Sequence, residues 1–139
     1  MIILDTNVIS EVMAIQPSLA VAAWMDETPT FDLATTTINI AEIRYGLARL
    51  SHGRRRARLN AQFESLIARA FGTRIFTFDG VAADAYGELV AGRERNGRPL
   101  RGPDAFIAAI AASRGLAIAT RDTRGFEDCG LELVNPWAD

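Results

Sequence analysis

Two short, mostly apolar runs, each followed by a carboxylate, constrain this chain more than any other feature. Met1-Ile-Ile-Leu4 leads into Asp5, and Leu116-Ala-Ile-Ala-Thr120 leads into Arg121-Asp122. Both runs are too short for a stable helix, and they lack the polar alternation of a half-exposed strand. They read as strands covered on both faces. Strands of that kind build parallel sheets flanked by helices, and in open sheets of this class ligands collect at the carboxyl ends of the strands. Asp5 and Asp122 therefore stand where such a fold does its chemistry.

The apolar spacing predicts strands at 1–4, 31–36, 73–77, 116–120 and 131–134. Helices are predicted near 7–14, 18–26, 39–50, 53–70, 80–96 and 103–114, with a short helical turn near 123–128. Short strands separated by helices specify an α/β fold: one domain over residues 1–139, with a mostly parallel five-stranded sheet and helices on both faces. No linker or repeat divides the chain, and 139 residues suit a single core. The apolar runs fall far short of membrane-spanning length, and no basic region precedes the first strand. A cytoplasmic protein is expected.

Two further acids join the first pair. Asp104 follows Gly102-Pro103 and opens Ala105-Phe-Ile-Ala-Ala-Ile-Ala-Ala112, a helix-forming run that stops at Gly115. An acid in a first helical turn also suits the helix dipole, so Asp104 alone has an ordinary explanation. Glu42 lies in a stretch where Ile40, Ile43, Leu47 and Leu50 form the core stripe, and it falls off that stripe. Alone, it fits a solvated helix face. In the predicted layout Glu42 and Asp104 begin helices or lie in their first turns, so all four acids converge above one edge of the sheet. Four converging carboxylates suggest a divalent cation held by oxygen.

Composition removes the main alternatives. With one histidine, His52, and one cysteine, Cys129, neither a zinc site nor a Ser-His-Asp triad can be assembled. Cys129 has no disulfide partner within the chain and reads as a small buried side chain. All fifteen basic residues are arginine. Gly-Lys-Ser/Thr phosphate loops are thereby excluded, as are phosphoaspartate receivers and haloacid-dehalogenase-type phosphatases, which need a lysine. The formal net charge is −2, yet the arginines gather in two groups: Arg44, Arg49, Arg54, Arg55, Arg56 and Arg58, then Arg93, Arg95, Arg98 and Arg101. Such patches suit phosphate. The Arg54–Arg56 cluster equally suits an acidic protein partner.

These residues carry a resemblance. Ile3-Leu-Asp-Thr-Asn-Val-Ile9 resembles the opening motif of PIN-domain ribonucleases, and Ala41-Glu-Ile-Arg-Tyr-Gly46 resembles their second acidic motif. Asp104-Ala-Phe-Ile-Ala-Ala109 and Ala119-Thr-Arg-Asp122 are similar to the third and fourth. Within that family the chain is most like VapC-type toxins of the FitB-like branch, which its ending Asn135-Pro-Trp137 also resembles.

The resemblance implies that Asp5, Glu42, Asp104 and Asp122 are the metal-site acids, with Thr6, Asn7 and Thr120 orienting ligands or water. It implies Mg2+ or Mn2+ as cofactor, an endoribonuclease activity on RNA such as a tRNA or ribosomal RNA element, a VapB-type antitoxin as partner, and a homodimer. A FitB-like regulatory protein that tightens its partner's binding to operator DNA, with incidental cleavage, is the alternative. Tyr45, Trp24 and Phe31 are candidates for base stacking. Leu19, Val21, Ala22, Ala23 and Trp24 on the 18–26 helix are either core or a partner groove.

Overall fold

In the computed structural model, which describes residues 1–138, β1 (Ile2–Leu4) lies at the centre of a five-stranded sheet. β2 (Leu33–Thr36) and β3 (Ile75–Phe76) flank it on one side, and β4 (Ala117–Ala119) and β5 (Leu133–Val134) on the other. The order is β3-β2-β1-β4-β5 and every pairing is parallel, as expected from the buried runs. The chain leaves β1 toward β2 and later returns to β1's other edge as β4. In open parallel sheets the ligand crevice lies at such a reversal, which here falls outside the carboxyl ends of β1 and β4. Leu4 pairs with Ala119, and the Asp5 N–H donates to the Ala119 carbonyl at 2.9 Å.

Six helices connect the strands: α1 (Thr6–Val12), α2 (Leu19–Glu27), α3 (Thr37–Ala48), α4 (Arg54–Leu66), α5 (Gly80–Arg95) and α6 (Gly102–Arg114). The pleat sorts side chains between two layers. Ile3, Ala34 and Ile118 align across the sheet and pack with Ile107 and Ile110 of α6. Leu4, Leu33 and Ala119 belong to the other layer, with Val8 and Ile9 of α1, Ile43 and Leu47 of α3, and Phe63 of α4.

The helix ends follow local chemistry. Pro103 sits in the first turn of α6, and Gly115 ends it in the left-handed conformation (φ 65°, ψ 35°), which costs a glycine least. Thr36 caps α3 by accepting from the Asn39 N–H at 3.2 Å.

Three expectations need correction. The predicted strand 31–36 is shorter, because Thr30–Asp32 forms a 3₁₀ turn after Pro29, and the strand at 73–77 reduces to two residues. The predicted helix 53–70 ends in a wide π-type turn, Ile67–Phe71. One side chain supports the two turns: Arg74 donates to the carbonyls of Leu33, Thr30 and Ala70 at 2.8, 3.0 and 2.6 Å, satisfying oxygens that regular structure would otherwise use. On α2, Val21 is buried, Trp24 half-buried and Leu19 89% exposed, so its apolar residues do not form one groove. Among the described residues, no helix is long and apolar enough to cross a membrane.

Candidate active site

Asp5 anchors the crevice. It is buried where β1 becomes α1, and its Oδ1 accepts from the Thr6 N–H at 2.9 Å as the cap of that helix. Oδ1 also accepts from Asn39 Nδ2 at 3.2 Å, while Oδ2 accepts from the Thr120 hydroxyl at 2.8 Å. Burial raises the pKa of this carboxyl and the nearby Asp122 charge raises it further, against the lowering effect of the donors Thr120, Thr6 and Asn39.

The supporting residues are themselves locked. Asn39 is fully buried, donates also to Thr6 Oγ1 at 3.1 Å, and accepts from the Thr36 hydroxyl at 2.6 Å. Asn7 Nδ2 donates to Thr120 Oγ1 at 3.2 Å, and Asn7 Oδ1 accepts from the Arg121 N–H at 3.1 Å. The Thr6 hydroxyl donates to Glu42 Oε1 at 2.7 Å, which ties the second acid to the first through one short side chain. Glu42 lies in the second turn of α3 rather than the first, since that helix starts two residues earlier than its apolar stripe suggests.

Asp104 enters from the first turn of α6, half-buried. Burial, followed by the charges of Asp5, Glu42 and Asp122, pushes its pKa up to about 6. The four acids named from the sequence therefore share one electrostatic neighbourhood. Asp122 is exposed, and its Oδ1 caps the Thr123–Phe126 turn by accepting from the Gly125 N–H at 3.1 Å.

This donor set suits a hard divalent cation. All four groups offer oxygen, the other three disfavour the charge of Asp104, and every ion pair among the described residues lies elsewhere. Among the described residues, no cluster of three or more acids is close enough to hold one ion directly. An ion held here would rely in part on its own water, as magnesium can.

The PIN domain family profile matches residues 2–130. The chain belongs to the PIN-domain family. Across its whole length this PIN domain is similar to VapC ribonuclease Y4jK of Sinorhizobium fredii, 40% identical over 137 residues, covering 99% of this chain and 98% of that protein. It is similar to Toxin FitB of Neisseria gonorrhoeae, 37% identical over 139 residues that span all of both chains. Among solved structures, FitAB bound to an IR36 DNA fragment matches with a TM-score of 0.93 at 36% identity, covering 100% of this chain and 97% of that one.

Sequence reasoning missed Asn39, Thr36 and Gly125 as supports of the site. Asn39 had a signal: it heads the i, i+4, i+8 series Asn39, Ile43, Leu47, so a polar residue occupies the buried face of α3. Gly125 had none, because its role depends on packing: a Cβ there would lie 2.7 Å from Asp122 Oδ2.

The arginines and aromatic residues also sort out. Arg93 is buried and Arg98 is paired with Glu127 and Asp128, so only Arg95 and Arg101 of the second arginine group remain exposed and outside the ion pairs among the described residues. In the first group, Arg56 Nη1 donates to the Leu50 carbonyl, whereas Arg55 and Arg58 line a cavity of about 500 Å³ that Thr6, Glu42, Ile43 and Leu47 also line. Tyr45 and Phe31 are exposed and Trp24 is half-buried, and none of the three lines that cavity.

Proposed function

We propose that this PIN domain is a metal-dependent endoribonuclease, the toxin of a VapBC-type toxin–antitoxin pair, acting in the cytoplasm on a tRNA or ribosomal RNA element. One observation carries the reading: buried Asp5 has both oxygens fixed by Thr6, Asn39 and Thr120 and is tied through the Thr6 hydroxyl to Glu42, with Asp104 and Asp122 in the same neighbourhood and every ion pair among the described residues lying elsewhere. Acids gathered in a cleft with no protein cation to pair them are the arrangement a bound cation would stabilise. Asp5, Asp104 and Asp122 would hold Mg2+ or Mn2+, directly or through water. When bound, the ion supplies Lewis acidity and charge neutralisation for phosphodiester hydrolysis.

The chain's own residues do the rest. Thr6, Asn39 and Thr120 fix both oxygens of Asp5, so the central ligand is set before the cation arrives. Glu42, held at Oε1 by the Thr6 hydroxyl, keeps its other oxygen to orient the attacking water and accept its proton. Arg55 and Arg58, which share the cavity with Glu42, meet RNA phosphates. The cognate antitoxin would silence the site, and the active unit would be a homodimer.

Purified protein should cut RNA with magnesium and stop with EDTA, while Asp5→Asn stays folded and inactive. Undiminished cleavage by Asp5→Asn would sink the reading.

A second reading is favoured by the likeness to FitAB bound to a DNA fragment: the chain chiefly tightens a partner's grip on operator DNA, with incidental cleavage. Expression without the partner separates the two. Arrested growth with new RNA ends supports the nuclease, and unaffected growth with tighter operator binding by the pair supports the second.

A further inference from the structure

Arg93, near the end of α5, is a buried cation with no carboxylate partner in its hydrogen bonds. Its guanidinium is spent on backbone oxygens instead. Nε donates to the Arg98 carbonyl at 2.6 Å, and Nη1 faces the carbonyls of Gly125 at 3.1 Å and Glu127 at 2.7 Å, with Cys129 Sγ at 3.3 Å. Burying a guanidinium is costly, and an apolar side chain of similar length would fill the space without that cost. What such a side chain lacks is the fork of donors that grips several carbonyls together.

The gripped segment is the one that carries the fourth acid. The residue whose carbonyl Arg93 holds, Gly125, donates its N–H to Asp122 Oδ1. Gly125 also approaches Asp122 so closely that a Cβ would lie 2.7 Å from Oδ2. On the outer side of the same segment, Arg98 bonds the Arg124 carbonyl and the carboxylates of Glu127 and Asp128. Asp122 itself is exposed, and its one side-chain hydrogen bond among the described residues comes from Gly125. A flexible turn would leave that carboxylate free to swing away from Asp5 and Asp104.

We propose that Arg93 is a positioning residue for Asp122: by clamping the 125–129 backbone it presents Gly125's N–H, and so holds the Asp122 carboxylate at the metal site. The inference rests on the reading of Asp122 as a metal-site acid. Groups that orient a ligand from behind typically change metal affinity by roughly 10- to 100-fold, and that is the effect expected.

The test is Mn2+ titration by calorimetry on wild type, Asp122→Asn, Arg93→Met, Arg93→Lys and Arg98→Ala, with a metal-free melt for each. Arg93→Met should lose on the order of 10-fold or more in Mn2+ affinity and lower kcat, with KM for RNA unchanged. Arg93→Lys, which keeps the charge without the fork, should recover only part of the affinity. Arg98→Ala, which removes only the outer contacts, should bind Mn2+ within a few-fold of wild type. Weak Mn2+ binding by Asp122→Asn alongside wild-type affinity in Arg93→Met overturns the clamp while leaving the metal site intact. Wild-type affinity in Asp122→Asn instead shows that Asp122 is no site acid, and the clamp falls with it. Should Arg93→Met not fold, Arg93→Lys decides: a reduced affinity supports the clamp, and wild-type affinity overturns it.

Discussion

The two halves of the acidic site are built on opposite plans. At the end of β1, Asp5 is buried with both oxygens engaged by Thr6, Asn39 and Thr120. Across the crevice, Asp104 is half-buried with no side-chain hydrogen bond among the described residues and a pKa pushed up to about 6, and Asp122 is exposed with one backbone donor. The same functional group is pre-organised in one half and left under repulsion in the other. A cation bound as proposed would meet one fixed ligand and offset the repulsion at Asp104.

The largest expected effect comes from removing charge in either half. Asp5→Asn and Asp104→Asn should each lower RNA cleavage by about 100-fold or more, because the side-chain shape is kept but a negative ligand is lost. Asp84→Asn, on an exposed face of α5, should cleave like wild type. Single-turnover cleavage with magnesium in excess measures all three. Near-normal rates in Asp104→Asn alone would confine the chemistry to the Asp5 half.

The next effect separates the halves by stability. Asn39→Ala strips one donor from buried Asp5 and leaves the Thr36 hydroxyl without its acceptor. A loss of about 2 kcal/mol is expected, the usual cost of unsatisfied buried polar groups. A smaller loss is expected at Asp122, whose exposed carboxylate only caps a short turn. Urea denaturation of Asn39→Ala and Asp122→Ala makes the comparison, and equal losses would show that the Asp5 network is not the stiffer half.

How much of this was legible in the sequence follows the same division. Elements marked by short-range patterns could be read: the buried runs gave a parallel sheet, and Asp5, Asp104 and Asp122 stand at strand ends or in a first helical turn, where the fold needs them. What escaped depends on contacts between distant segments. Arg74 supporting a turn at a strand start, Asn39 reaching back to Asp5, and Arg93 spent on carbonyls rather than on phosphate all arise from pairs more than 30 residues apart. From local sequence alone, a buried arginine and a free one look the same.

A smaller effect lies in the metal-free melt. In the folded state the Asp104 pKa is raised above its ordinary value of 3.8 to about 6, so between those limits the folded protein binds more protons than the unfolded chain. Stability should therefore fall as pH rises from about 4 to about 6 and level off above. Asp104→Asn should flatten that slope and raise the metal-free Tm at neutral pH by a few degrees, about 1 kcal/mol once solvent screening of a half-exposed group is allowed for. Asp5→Asn should not stabilise in the same way, because its NH2 must replace one oxygen and so face either the Thr6 and Asn39 donors or the Thr120 hydroxyl, which already accepts from Asn7 and Asp122. Repulsion alone would predict stabilisation by neutral substitution at all four acids; the hydrogen bonds exempt Asp5. Magnesium should raise the wild-type Tm more than that of Asp104→Asn. A rise in Tm for Asp5→Asn matching that for Asp104→Asn would erase the contrast between the halves.

The smallest expected effect concerns RNA rather than metal. The cavity of about 500 Å³ borders the pre-organised half only: Thr6 and Glu42 line it, with Arg55 and Arg58, while Asp104 and Asp122 do not. Each phosphate contact to single-stranded RNA contributes about 0.7 to the slope of log affinity against log salt. Replacing Arg55 and Arg58 together by glutamine should therefore lower that slope by about 1.4 and raise KM, with Mn2+ affinity and kcat unchanged. Arg56 is bonded to the Leu50 carbonyl, and its replacement should leave the slope as it is. Binding measured on an Asp5→Asn background, at several salt concentrations, keeps cleavage from distorting the result. An unchanged slope for the double variant, with loss of antitoxin binding instead, would make this wall of the cavity a protein interface and send RNA in across Asp104 and Asp122.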